Sequence, residues 1–255
     1  MEIRELFHVE FLRRLARTLE SSCMVLKGGT NLRFFFKSIR YSEDMNIDVK
    51  GIPVHIIRDK VMNILNTHSF ETSLKPYGIM EVIPPNISKA KQTETVQRFK
   101  IHIMTSSGEN LFTKIEFSRR GFDQFFKAEG VSPVILNKYK LPPLIVPHYL
   151  IESVFKQKLS ALMQRSIPQA RDIFDLYMLS TQINIAEFKN KKNLNSNELI
   201  NVIERVDQIN YKIYKDTVVS YLDIEDQQTY NSSQIWDQIR LDVLNLVEKE
   251  FKKNA

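Results

Sequence analysis

The stretch "KGGTNLR", Lys27-Gly28-Gly29-Thr30-Asn31-Leu32-Arg33, and the nearby "RYSEDMNID", Arg40 to Asp48, decide how this chain is read. Met24-Val25-Leu26 is a short apolar run ending at a glycine pair, which reads as a buried strand. Thr30 to Phe36 reads as a helix opening on that turn, and Met45 to Val49 alternates as the next strand. Glycines between a strand and a helix let the backbone turn sharply and approach a ligand closely. The helix N-terminus offers unpaired N–H groups that attract phosphate. Thr30 adds a hydroxyl, and Lys27 and Arg33 add positive charge. The spacing is neither a Walker A loop nor a dinucleotide fingerprint, and the glycines taken alone also suit a plain tight turn.

On a strand, Asp44, Asn46 and Asp48 face one way, at ~7 Å per two residues. Acidic groups at such spacing bind a hard cation through oxygen. Glu116, in "TKIEFS", lies on a separate expected strand that can pair beside the first and bring its carboxylate to Asp44. These oxygens would position one or two Mg²⁺ on a nucleoside triphosphate. Solvent-facing acids on an exposed sheet face are the competing account.

Apolar residues at Leu6, Phe7, Phe11, Leu12, Leu15 and Leu19 form one helical face near the N-terminus. Pro53 starts a helix running to about Asn66, since proline suits the first turn. Thr95 to Met104 and Phe112 to Phe117 read as two strands joined by "SSGEN". Strands interleaved with helices give an α/β or α+β domain.

The pattern changes near Pro142-Pro143, and from Tyr149 onward helical periodicity dominates. A helix is expected at Pro168, another capped within "NSNE", Asn195 to Glu198, and a last one after Ser232 or Ser233 with Ile235, Ile239, Val243 and Leu246 on one face. Trp236 and Phe251 are expected in the core. The polar stretches "NKKNLNSN" and "DIEDQQTYNSS" separate these helices, so the second half reads as a helical bundle. The expected division is residues 1–145 and 146–255.

Composition sets the frame. A chain of 255 residues that is 43% hydrophobic and 26% charged is ordinary globular material. A single cysteine, Cys23, excludes an intrachain disulfide framework; it fits a reducing compartment and a buried core position. No apolar run approaches the roughly 20 residues of a membrane span, and "MEIRELFHVEFLRRLA" lacks the apolar core of a signal peptide, so a cytoplasmic protein without a membrane partner is expected. Thirty-six Lys and Arg against thirty Asp and Glu give +6, which favours an anionic partner such as nucleotide phosphate, RNA or an acidic protein. The five histidines show no metal-ligand spacing.

Gly-Gly-Thr followed, after a short helix, by Asp44 resembles the signature of the DNA polymerase β-like nucleotidyltransferase superfamily. More narrowly, "LKGGTNLR", "RYSED" and "KLSALMQRSIPQARDIFDLYML" resemble the AbiEii/AbiGii toxin family, over about residues 7 to 181. The resemblance implies an α+β fold: a nucleotidyltransferase mixed sheet with flanking helices, then the helical bundle, with the nucleotide between them. It implies that Gly28, Gly29 and Thr30, with Lys27, Arg33 and Ser42, meet the nucleotide. It implies that Asp44 and Glu116 bind metal, with Asn46 at the position between. In the second half, Lys158 matches the family's phosphate-meeting lysine, and Asp172 and Asp175 match its D-x-x-D element. These share a helix face, with Arg171 one turn before Asp175 as a possible ion-pair partner. Without the resemblance, "RDIFDLY" is a helix with surface ion pairs.

The implied reaction is Mg²⁺-dependent transfer of a nucleotidyl group from an NTP to RNA, with tRNA the usual acceptor. Its setting would be toxin–antitoxin or phage defence, with a cognate antitoxin. Asn46 departs from the family, where Asp is usual, and a neutral amide carries no charge and cannot act as a base. Two alternatives therefore stand beside the enzyme: a nucleotide- or RNA-binding protein of the same fold with weakened catalysis, and a nucleotidyltransferase that modifies protein hydroxyls.

Overall fold

The computed structural model describes residues 1–122, 125–185, 188 and 193–251. The chain forms two compact units, the first from Met1–Lys37 and Tyr41–Tyr149, the second from Ser38–Arg40 and the chain from Leu150 onward.

The first unit is built on a mixed seven-stranded sheet. Its strands are β1 (Met24–Lys27), β2 (Asp44–Val49), β3 (Ile79–Ile83), β4 (Val96–Thr105), β5 (Asn110–Ser118), β6 (Phe126–Gly130) and β7 (Ile145–Tyr149). Their order across the sheet is β3-β4-β5-β2-β1-β7-β6. β2 runs antiparallel to β1 and parallel to β5, so the two strands expected to carry acids are direct neighbours. The helices of this unit are α1 (Glu2–Ala16), α2 (Gly28–Phe35), α3 (Val54–Asn66), α4 (His68–Leu74) and α5 (Pro133–Lys138).

Alternation sorts the two faces. Met45 and Ile47 of β2 and Ile115 and Phe117 of β5 are buried in one core with Phe7, Phe11 and Leu15 of α1 and Ile57 and Val61 of α3. Asp44, Asn46, Lys114 and Glu116 point to the other, half-open face. The α+β fold with a mixed sheet is as expected. Residues 146–149, expected among the helices, instead form β7, paired with β1 and β6. Pro147 obscures that strand in the sequence, because proline cannot donate to a ladder.

Buried polar groups fix the strands. His8 of α1 lies 2.7 Å from the Thr113 hydroxyl, which in turn donates to the Glu43 carbonyl at 2.6 Å. Burial, with Arg4 nearby, pushes the imidazole down to about 3. His8 is therefore neutral, donating from Nε2 to Thr113 and holding the entry of β2 against β5. Cys23, expected in the core, is half-buried instead, because it precedes the first residue of β1.

The second unit is helical: α6 (Ile151–Gln164), α7 (Ala170–Ser180), α8 (Ser196–Asp207), α9 (Tyr211–Thr217), α10 (Ile224–Tyr230) and α11 (Ser233–Phe251). α7 begins two residues after Pro168, with Gln169 as N-cap. Asn195 and Glu198 form a full capping box on α8. Residues 190–192 of "NKKNLNSN" lie outside the described residues. Tyr214 stacks on Trp236 at 4.3 Å, Phe155 on Phe251 at 5.9 Å, and the Trp236 indole donates to the Ile209 carbonyl at 3.0 Å. The buried face of α11 is Trp236, Ile239, Val243, Val247 and Phe251. It is turned by about one residue at its ends from the expected face: Ile235 is exposed and Leu246 is replaced by Val247. Among the described residues no helix is long and apolar enough to cross a membrane.

Candidate active site

Gly28 opens α2 with φ +73, in the left-handed region. Lys27 before it is extended, and no side chain caps the helix. A Cβ on Gly28 would lie 3.2 Å from the Asn46 side-chain nitrogen. Glycine is thus required for its φ, and a Cβ there would also press on the Asn46 side chain. Gly28→Ala should lower stability by about 1–2 kcal/mol, read as a reduced midpoint in thermal unfolding.

Two hydroxyls converge where β2 begins. Thr30 donates to the Asp44 carbonyl at 2.9 Å, and Ser42 donates to the same oxygen at 2.8 Å. Thr30 is almost fully buried. Both residues, expected at the nucleotide, hold the backbone that carries Asp44. Arg33 is turned to α1, where it meets Glu5 at 2.5 Å and lies 4.2 Å over the Tyr41 ring. Asn31 takes part in a buried link to β7, donating to the Tyr149 carbonyl at 3.3 Å and bonding His148 at 3.1 Å.

The acid face lies beside this turn. The ladders set Asn46 between Lys27 of β1 and Glu116 of β5, and Asp44 opposite Lys114. Each carboxylate has a cation on a neighbouring strand. Asp44 Oδ2 lies 2.9 Å from Lys114, Glu116 Oε2 lies 2.5 Å from Arg98, and Asp48 Oδ1 lies 2.5 Å from Lys27. Asp48 also accepts from the Tyr149 hydroxyl at 2.7 Å and is buried. Sequence reasoning did not pick out Lys114 and Arg98. Their signal was the same alternation that exposed Glu116, applied one step along β5 and one strand across to β4.

Among the described residues, no group of three or more His, Cys, Asp or Glu side chains stands ready to hold a metal ion. The donor set nevertheless suits one Mg²⁺ carried by a nucleotide. Asp44 Oδ2 and Glu116 Oε2 meet cations, and their other oxygens have no hydrogen-bond partner among the described residues. The Asn46 amide lies opposite Glu116 on the ladder and two residues along β2 from Asp44. Magnesium is commonly held by one or two carboxylates with substrate phosphates completing its shell. A second ion would need a third carboxylate. Asp48, the nearest by strand position, is held by Lys27 and Tyr149.

The remaining expected residues cluster inside the second unit. Lys158 meets Asp172 at 3.1 Å and Asp175 at 2.6 Å. Arg165 meets Asp172 at 2.7 Å, and Arg40 forks onto Asp175 at 3.0–3.2 Å. Both aspartates are fully buried. The carboxylates therefore have Lys158, Arg165 and Arg40 as partners, in place of the Arg171 pairing expected for Asp175. Burial pushes the Asp175 carboxyl up, but Arg40 and Lys158 outweigh it and hold the pKa below the usual aspartate value. Arg40 escaped sequence reasoning because it lies 135 residues from its partner.

No curated protein matches this chain. Among solved structures, JHP933 from Helicobacter pylori is similar, with 20% identity, a TM-score of 0.55, and coverage of 96% of this chain and 92% of that one. MenT4, the nucleotidyltransferase toxin Rv2826c from Mycobacterium tuberculosis H37Rv, is similar with 14% identity, a TM-score of 0.60, and coverage of 98% and 84%. At these identities the likeness is one of fold. The family described as nucleotidyl transferase AbiEii toxin, type IV toxin–antitoxin system, matches residues 10–243, well beyond the stretch expected from the motifs. With the glycine turn and acid face in place, this chain belongs to the AbiEii nucleotidyl transferase toxin family, whose type IV systems pair a toxin with an antitoxin.

Proposed function

We propose that the first unit transfers a nucleotidyl group from an NTP, carried with Mg²⁺, to a hydroxyl of an RNA acceptor, tRNA being the first candidate. The supporting observation is one half-open sheet face that sets Asp44, Asn46 and Glu116 on paired strands beside an uncapped, glycine-opened helix. In this reading the N–H groups of the Gly28-Gly29 turn receive triphosphate oxygens, and Lys27 adds charge. Asp44 and Glu116 hold the cation, which supplies charge neutralisation for the phosphates. The acceptor oxygen bonds to the α-phosphorus, the bond to the bridging oxygen breaks, pyrophosphate leaves, and the hydroxyl proton passes to solvent. Thr30 and Ser42 act as positioning residues through the Asp44 carbonyl.

Asn46 supports a second reading, a nucleotide-binding protein with weakened turnover. The triphosphate brings its own negative oxygens, so nucleotide–Mg²⁺ can bind with two carboxylates. The acceptor hydroxyl brings none, so its activation suffers most from the neutral amide. Calorimetric titration of each NTP, with and without Mg²⁺, tests the shared part of both readings. Binding that strengthens with Mg²⁺ is expected. No binding of any NTP under either condition would remove both.

A further inference from the structure

One strand beyond the acid face, at the β3–β4 edge, lies a pocket of about 450 Å³ whose lysines have no part in the site just described. Lys89, Lys91, Arg98 and Lys100 line it, and no carboxylate does. Arg98 is engaged with Glu116. Lys89, Lys91 and Lys100 are exposed and make no ion pair among the described residues. Arg98 and Lys100 are two apart on β4, so their side chains repeat along one face at ~7 Å. Pro84, Pro85 and His102 form the less charged wall. His102 lies opposite Phe112 on the β4–β5 ladder with ring centres 3.9 Å apart and planes inclined at 57°; His102 is half-buried and Phe112 is 55% exposed.

A cluster of cations beside an exposed aromatic ring is the combination that binds single-stranded nucleic acid, the cations following the phosphates and the ring receiving a base. A free triphosphate would use the charge but has no need of the extended cluster. An acidic peptide would use the charge but has less use for the exposed Phe112 ring. We infer that this pocket anchors the phosphodiester backbone of single-stranded RNA, with the exposed Phe112 beside it as the base-stacking ring. The ladder places Arg98 opposite Glu116 and Lys100 opposite Lys114, so a strand seated here lies one β-strand from the acid face. As the site that holds the acceptor, it rests on the transferase reading; as an RNA site, it stands without it.

The test is anisotropy of a labelled single-stranded RNA over a salt series, using the full chain. The triple variant Lys89→Ala/Lys91→Ala/Lys100→Ala should bind about 10- to 100-fold more weakly near 0.1 M salt, with a salt slope shallower by about 2. Phe112→Ala should weaken binding by at least about fivefold and leave the slope unchanged. The control Lys212→Ala/Lys215→Ala/Lys249→Ala removes the same charge from exposed positions of the second unit and should bind like the native chain. A native-like triple variant, or an equal loss in the control, overturns the inference. Duplex RNA bound as tightly as single-stranded RNA, with no effect of Phe112→Ala, also overturns it. Mg²⁺–NTP titration of the same variants separates the two proposals: lysine-dependent RNA binding without any NTP binding would sink the transferase reading and leave this one standing.

Discussion

Asp175→Ala should destabilise the second unit by about 3–5 kcal/mol, because it leaves Arg40 and Lys158 buried without the carboxylate they share. For a chain of this size that is a fall of roughly 10 °C or more in the unit's unfolding midpoint. Asp59→Ala, which breaks the exposed Arg58 pair, should leave the midpoint in place. The pH dependence has a definite sign. The folded Asp175 pKa lies below its unfolded value of about 3.9. Its contribution is therefore present above that value and is lost as pH falls through the lower, folded pKa. Acid unfolding of Asp175→Ala should accordingly show a flatter limb below about pH 4. A midpoint unchanged by Asp175→Ala would show that the cluster does not hold the helices together.

Glu116→Ala should reduce Mg²⁺-dependent transfer by about 10²- to 10³-fold, the effect of removing one of two carboxylates that balance the cation's charge. The variant also releases Arg98, so the cation's place would gain positive charge as well as lose negative. Asp44→Ala should act the same way, freeing Lys114. The Mg²⁺-dependent part of NTP binding should weaken in both. Metal-free binding, which relies on the glycine turn and Lys27, should not weaken. Equal loss with and without Mg²⁺ would place these carboxylates outside the metal site.

The glycine turn and the strands carrying Asp44 and Glu116 were legible because alternation and a glycine pair leave local traces; their parallel pairing was not. The same alternation shows that Asp44, Asn46 and Glu116 share a face. It does not show that each carboxylate faces a cation, because Lys114 and Arg98 matter only once the register of β4, β5 and β2 is known. Arg33 and Thr30 illustrate the limit of motif reasoning. Both belong to the stretch that marks the family, yet Arg33 meets Glu5 and the Thr30 hydroxyl meets backbone. On α11, Ile235 and Trp236 are adjacent and both apolar, so periodicity could not choose the face. The large indole took the core and donated to Ile209. β6 was not expected because four of its five residues are exposed and it carries little apolar signal.

On the proposed reading, the face of Asp44, Asn46 and Glu116 performs nucleotidyl transfer and the amide at its middle position limits it. The most direct test incubates the native chain and Asn46→Asp with α-labelled NTP, Mg²⁺ and total RNA, and follows label into RNA. Slow labelling by the native chain is expected, a gain on the order of 10- to 100-fold in Asn46→Asp, and none in either without Mg²⁺. Rapid labelling by the native chain that Asn46→Asp leaves unchanged would contradict the account of Asn46, and no labelling by either protein with any NTP would contradict the transferase reading itself.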